Sequence, residues 1–278
     1  MANLLRSLRD NRRLIRGFVV RDLKARYVGS TMGFFWSVVY PVVNLVVFMI
    51  VFRFFLKSRF SDKMNEQETA MLMLAGILVW AAFAETLSRA TNCLVENSNL
   101  IQKVVFPSEI LPVNLALSSI VNMLIGLPIV LIGTWFIFPD PFGPQLVVMP
   151  LLILLQIVFM TGMGYFLAAL NVLWRDTFHL VGVGTMVWMF MTPIFYPAEV
   201  VKKAIPLGDL PEDGYISFGW LLEINPMHWL IDSWRRILFF DQWPEWDMLL
   251  RLAVVAIAVF FAGGVFFVRQ KKVFPDLL

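Results

Sequence analysis

The sequence predicts an all-α integral membrane protein: six transmembrane helices, an N-terminal amphipathic helix in the interface, and two re-entrant helices before the last span. Three observations carry that expectation. Tyr27 to Phe52, Ile110 to Pro139, Pro141 to Trp174 and Thr177 to Ala198 contain no Asp, Glu, Lys or Arg, and about 20 apolar residues suffice to cross the hydrocarbon core as a helix. Charged residues make up 15% of the 278 positions and hydrophobic ones 59%, an unusual balance for a water-soluble domain of this size. The first apolar stretch also follows directly on an arginine-laden segment with helical periodicity.

That segment, residues 1–30, is the interface helix. Leu4, Leu8, Ile15, Val19 and Leu23 fall on one face at spacings of four and seven, with Arg9, Arg13 and Arg16 on another. Such a helix lies with its apolar side in lipid and its basic side towards phosphates. No short apolar core with a small-residue cleavage site occurs in Met1 to Arg26, so the first span is expected to stay as an uncleaved anchor. The spans are Met32–Phe54, Ala70–Thr91, Ile110–Phe138, Gln145–Leu173, Phe178–Tyr196 and Met248–Val268. They divide one domain into spans one to five (32–196), an outer segment (198–247), span six (248–268) and a tail (269–278). Glu85 and Arg89 interrupt span two four residues apart, on a shared face where they can pair. Arg251, at the start of span six, can snorkel.

Six spans put both termini on one side, and the basic residues choose it. With the N-terminus inside, fourteen of the 23 Lys and Arg are inner, eight of them before Tyr27, while Asp62, Glu66, Glu68, Asp140, Glu212, Asp213, Asp241 and Glu245 are outer. The bias places both termini in the cytoplasm. The linker from Glu96 to Pro107 then lies on the cytoplasmic face. Its apolar centre, Leu100, Ile101, Val104, Val105 and Phe106, suits either docking to a soluble partner or a simple connecting turn, and Pro107 stops the helix. Trp174-Arg175-Asp176-Thr177 reads as a tight inner turn with an interfacial anchor and a helix cap. Outside, Tyr215 to Phe240 is apolar but split by Asn225-Pro226 into pieces too short to cross, the length of helices that enter the membrane and return. Arg235 and Arg236 beside this run need water or a partner, which suggests a hydrated cavity. Five of the ten Trp lie in or beside it (Trp220, Trp229, Trp234, Trp243, Trp246), as an interfacial belt would.

Much chemistry is missing from the sequence. No G-x-x-x-x-G-K-[ST] loop occurs to hold ATP, no G-x-S-x-G elbow, and no basic, aromatic-interleaved patch for nucleic acid. His179 and His228 lack Cys or carboxylate neighbours at metal spacing. The single cysteine, Cys93, reads as a packing residue, and Gly182-Val-Gly184 as close helix packing. No catalytic, cofactor or metal site is expected. Glu85 is the one carboxylate well inside a span, fewer than a proton- or sodium-coupled carrier usually shows. The residues alone indicate a transporter or channel subunit. A membrane-embedded transferase on lipid-linked sugars needs a carboxylate or histidine cluster at one membrane face, and none is seen.

Four stretches taken together are more specific. Arg21-Asp-Leu-Lys-Ala-Arg26-Tyr27-Val-Gly29-Ser30-Thr-Met-Gly33-Phe-Phe-Trp36-Ser-Val-Val-Tyr-Pro41, then Leu94 to Pro112 with Glu96-Asn97 and Phe106-Pro107, then Leu173-Trp-Arg175-Asp176, and Asn225-Pro226, resemble type-2 ABC exporter permeases for lipid-linked polysaccharides. The likeness is greatest to O-antigen permeases, with teichoic acid and capsule permeases similar. It implies a bacterial inner-membrane permease that moves an undecaprenyl-diphosphate-linked polysaccharide outward as a homodimer. Two copies of a separate nucleotide-binding subunit would bring the ATP and magnesium. The resemblance further implies that Glu96, Asn97, Leu100, Ile101, Lys103 and Phe106 form the coupling helix on which the ATPase docks. The basic residues near the inner face, Arg13, Arg16, Arg21, Lys24 and Arg26, are candidates to meet the lipid diphosphate. Aromatic faces suit a sliding sugar chain, and Phe34, Tyr40, Trp80, Phe83, Trp188, Phe190 and Phe195 are the candidate pore lining.

Overall fold

The computed structural model describes residues 2–26, 35–51, 64–103, 106–139, 142–202, 205–206, 215–216 and 219–278. Four helices among them are long and apolar enough to cross a membrane: α4 (Glu66–Glu96), α6 (Ile110–Ile137), the helical run Pro144–Leu173, whose α-helical part is α7 (Met149–Leu173), and α12 (Trp246–Gln270). Two apolar helices of 15 residues, α3 (Trp36–Ile50) and α8 (Thr177–Met191), complete the apolar set. The interface segment is two helices, α1 (Ala2–Asp10) and α2 (Arg12–Ala25), separated by a break at Asn11. Short helices α5 (Ser98–Lys103), α9 (Ala198–Lys202), α10 (Gly219–Ile224) and α13 (Phe274–Leu277) join the long ones, with α11 (Pro226–Phe239) packed beside α4. A two-residue antiparallel pairing of β1 (Ile205–Pro206) with β2 (Tyr215–Ile216) was not foreseen. The start of the first span at Met32, and residue Phe34, lie outside the described residues.

Helix α4 exceeds the expected Ala70–Thr91 at both ends. A capping box explains its start: Asn65 Oδ1 accepts from the Glu68 amide at 2.8 Å, and Glu68 Oε2 accepts from the Asn65 amide at 3.0 Å. Beyond Thr91 no proline or glycine intervenes until Pro107, so the helix runs on to Glu96. At the other turns the cap chemistry differs from expectation. Asp176 does not cap α8 with its side chain. Instead Thr177 Oγ1 donates to the Trp174 carbonyl at 2.6 Å, and Asn171 Oδ1 accepts from the Phe178 amide at 3.2 Å. Asn225 is more than a turn signal. Its Oδ1 caps α11, accepting from the Met227 amide at 3.1 Å, and accepts from Trp188 Nε1 at 2.9 Å, while its Nδ2 donates to Thr192 Oγ1 at 2.9 Å. One side chain thus ties the start of α11 to the end of α8.

The two arginines of α11 need no hydrated cavity. Arg235 is buried and donates to the carbonyls of Leu72 (3.2 Å), Pro193 (2.7 Å) and Ile194 (2.8 Å). Arg236 pairs with Asp232 at 2.6 Å and with Glu245. Of the two expected solutions, water or a partner, the structure shows partners: peptide carbonyls for Arg235 and carboxylates for Arg236.

Helices α7 and α12 cross closely. A Cβ placed on Gly263 would lie 2.1 Å from the Gly162 carbonyl oxygen, and one on Gly162 would lie 2.5 Å from Phe260 Cα. Backbone meets backbone, as small residues permit in membranes. Gly182 and Gly184 do not play this part: a Cβ on either would meet nothing within 4 Å. The expected close packing is absent there because the α8 face that carries them is open in the single chain. We expect Gly263→Val to destabilise the fold by about 1–3 kcal/mol, read as a fall in thermal unfolding temperature in detergent. Gly17→Ala, with open space around it on α2, should leave that temperature unchanged or slightly raised.

Candidate functional site

Both chain ends meet at one end of the bundle, and their meeting point is Glu109, which precedes α6. Ser7 on α1 donates to Glu109 Oε1 at 2.5 Å, and Lys271, just past α12, donates to Oε2 at 2.5 Å. Tyr165 of α7 donates to the Glu109 carbonyl at 2.9 Å. Burial raises the carboxyl's pKa, but Lys271 and Ser7 outweigh it and hold Glu109 below its usual range. Around it Leu4, Ile15, Leu94, Ile110, Phe267 and Phe274 form a second apolar core, separate from the main one.

Elsewhere, α2 is tied to α4 by four charges. Arg89 donates to both carboxylate oxygens of Asp22 and reaches Glu85 at 3.2 Å, the pairing expected along α4. Arg26 bridges Asp22 (3.3 Å) and Glu85 (2.5 Å). Two cations and two anions alternate, so the set is internally neutral. Burial alone would raise the Asp22 carboxyl, yet the two guanidiniums hold it below its ordinary value. Beside this network lies a cavity of about 200 Å³ lined by residues of α2, α4 and α6 with Asn97, including Arg21, Glu96 and Asn114.

The expected lipid-facing cations are therefore not equivalent. Arg13, Arg16, Arg21 and Lys24 are exposed along α2, with Arg21 stacked over the Phe18 ring at 4.2 Å. Arg26 is committed to Asp22 and Glu85 and is not a free cation. Sequence reasoning missed Asp22 and Glu109 as partners. Their signal was present only as single acids in basic or apolar surroundings.

The expected docking residues also divide. α4 passes through Asn97 alone into α5, and Asn97 Nδ2 donates to the Cys93 carbonyl at 2.8 Å, closing the α4 end. Glu96 and Leu100 are exposed. Ile101 and Phe106 are partly buried and pack against the second core, with Phe106 5.8 Å from the Phe18 ring, so they seat the segment. The Lys103 side chain lies outside the described residues.

Of the aromatic candidates, Trp80 and Phe83 sit inside the protomer, because the α4 face that bears them meets α7 and α8. Phe83 stacks on Phe159 (5.6 Å, 3° between planes), and Trp188 of α8 stands edge-on to Phe83 at 5.1 Å. Trp188 is half-buried, Phe190 is 60% exposed, and Phe195 lies 6.4 Å from Phe190. Phe34 and the Tyr40 side chain lie outside the described residues. Among the described residues no three His, Cys, Asp or Glu come together as a metal site.

Comparison with known proteins places these features in context. Residues 13–239 match the ABC-2 type transporter family. The chain is 28% identical over 281 residues to the O-antigen export system permease protein RfbA of Myxococcus xanthus, covering 99% of each chain. It is 24% identical over 261 residues to the protein of the same name from Klebsiella pneumoniae, covering 93% of this chain and 92% of that one.

The linked carboxylates set a pH dependence. Because Asp22 is held below its ordinary 3.8, its contribution to α2 docking is complete above that value and is lost as pH falls through the lower folded value. Distance measurements between spin labels on α2 and α4 should show α2 held at neutral pH and released on strong acidification. Asp22→Asn should weaken α2 docking already at neutral pH, by about 1–3 kcal/mol.

Proposed function

From membership of the ABC-2 type transporter family, to which this chain belongs, we propose a membrane-spanning permease subunit that exports lipid-linked polysaccharide of the O-antigen class. A separate ATPase drives it. The chain works as a homodimer over two nucleotide-binding subunits, which hold the ATP and magnesium. It sits in the bacterial inner membrane with both termini cytoplasmic. That orientation is supported by the basic segment before Tyr27 and by the sharing of Glu109 between Ser7 and Lys271. Six spans result when α3 and α8 are counted with the four long helices, and α10 with α11 is the re-entrant pair.

One observation carries the transmission step. Helix α4 runs unbroken from Glu66 to Glu96 and enters α5 through a single residue. A push on α5 therefore reaches the membrane interior along one rigid rod. The same rod bears Glu85 and Arg89, so α2 is carried with it. Differential contacts of the ATPase with α5 in its two nucleotide states supply the bias between closed and open permease. The exposed Glu96 and Leu100 are the docking contacts, with Asn97, Ile101 and Phe106 seating them and Lys103 beside them.

The lipid diphosphate is met by Arg13, Arg16, Arg21 and Lys24 on α2, each contributing about 1 kcal/mol at an anionic surface. The moving sugar chain slides past Trp188, Phe190 and Phe195. Asn225 sets the approach of α11 to Trp188 at the outer end.

Two measurements test this reading. Replacing Arg13 and Arg16 together with Ala should reduce surface polysaccharide several-fold while leaving membrane insertion intact; unchanged surface polysaccharide would remove the headgroup role. Charge reversal Glu96→Lys, alone or with Leu100→Asp, should abolish co-purification of the ATPase, and a normal pull-down would refute docking at α5.

A further inference from the structure

Given docking of the ATPase at α5, on which this rests, we infer that Lys271 and Phe274, in the segment after α12, are positioning residues for that helix. They hold α5 at the angle from which a push by the ATPase enters α4. The first sign is a buried carboxylate. Glu109 is 7% exposed, and its ion-pair partner among the described residues is Lys271. A buried charge stripped of its partner is strongly disfavoured, so the places of Lys271 and Glu109 are tied together. Glu109 also closes the linker that begins with α5. Whatever fixes Glu109 therefore fixes the far end of that linker.

The same segment grips Glu109 a second time. The chain does not run straight on from α12. It turns, with the Val273 amide donating to the Gln270 carbonyl at 2.9 Å, and α13 brings Phe274 back against the bundle, where it is fully buried. The Phe274 ring stands 5.2 Å from Phe267, at 72° between planes, and Phe267 lies 5.1 Å from Tyr165. Tyr165 in turn donates to the Glu109 carbonyl. One short segment thus reaches the carboxylate directly, through Lys271, and the carbonyl by way of Phe267 and Tyr165.

Helix α5 needs such support. At six residues it is too short to be stable as an isolated helix, and it joins α4 through Asn97 alone. α13 packs against both α5 and α7. Ile101 of α5 and Phe106 beyond it rest on the same apolar core as Phe274, Leu94 and Leu4. Asn99, Leu100 and Gln102 are exposed on the other side. A contact made there presses α5 onto a floor of which Phe274 is part. With the floor intact, the load passes through Asn97 into α4. With Phe274 or its anchor at Lys271 removed, part of that load tilts α5 instead. Simple covering of Phe267 would call for the Phe274 ring but not for a cation on Glu109.

The test uses the full permease–ATPase complex in nanodiscs, with spin labels at Asn99 on α5 and Leu173 at the end of α7, both exposed. Lys271→Gln and Phe274→Ala should each broaden the distribution of label distances. In cells, at equal permease level, each should lower surface polysaccharide several-fold while the ATPase still co-purifies and hydrolyses ATP. Lys271→Arg should retain export, and Lys272→Gln, at an exposed neighbour, should change nothing. A purely structural role would lower export only in step with the amount of folded permease, which the thermal unfolding of Lys271→Gln reports. An unaltered distance distribution in Lys271→Gln, export and hydrolysis falling together, or loss of ATPase co-purification, which would make the segment itself a docking contact, would each overturn the positioning role. Glu96→Lys in the same assay keeps the two readings apart. If Glu96→Lys retains the ATPase, docking at α5 is what fails, and the label distances still decide the positioning. If Glu96→Lys loses the ATPase while Lys271→Gln matches the unaltered chain, the positioning role alone is refuted.

Discussion

A polar group inside a bilayer has no water to turn to, and this chain's architecture follows from that restriction. Three threonine hydroxyls on the long helices turn back on their own backbone: Thr86 to the Ala82 carbonyl at 2.8 Å, Thr91 to Leu87 at 2.6 Å, Thr134 to Val130 at 2.7 Å. Gln156 reaches across to the Val79 carbonyl at 3.1 Å and so fixes α7 against α4. The same requirement pulls the Arg235 guanidinium onto three carbonyls from two other parts of the chain. Each unmet polar group in hydrocarbon costs several kcal/mol, so these few bonds decide which helix faces meet, while dispersion and close packing fill in between them.

The long helices were legible because a bilayer imposes a length and a charge-free composition that one can count along a sequence. Three of the four long helices follow the predicted spans within a few residues; α4 overran because its capping box lies in the polar loop, where hydropathy is silent. Helix–helix contacts were less legible. Gly182 and Gly184 look in sequence like the packing glycines Gly162 and Gly263, and only the register between helices separates them. The pairing of Glu85 with Arg89 could be read from their spacing. The partnership of both with Asp22 and Arg26 could not, since the partners lie more than fifty positions apart along the chain. The surroundings of Trp80 and Phe83 were hidden for a related reason: aromatic content marks an apolar surface without saying whether it faces a neighbouring helix or an opening.

Charge is concentrated where α2 meets α4 and where the two termini meet at Glu109. The alternation of Asp22, Arg26, Glu85 and Arg89 keeps the junction neutral, which limits the desolvation cost that isolated charges would incur at that depth. It also joins an interfacial element to a membrane-crossing one without a covalent link. Coupling between distant sites needs an element with more than one arrangement, and an ionic junction of half-buried side chains is easier to rearrange than interlocked aliphatic packing.

The glycine crossing between α7 and α12 has the opposite character. With a carbonyl nested where a side chain would stand, the two backbones leave no room for a side chain between them. Any rotation or tilt that keeps this crossing intact leaves the pair as a common reference frame for the helices around it.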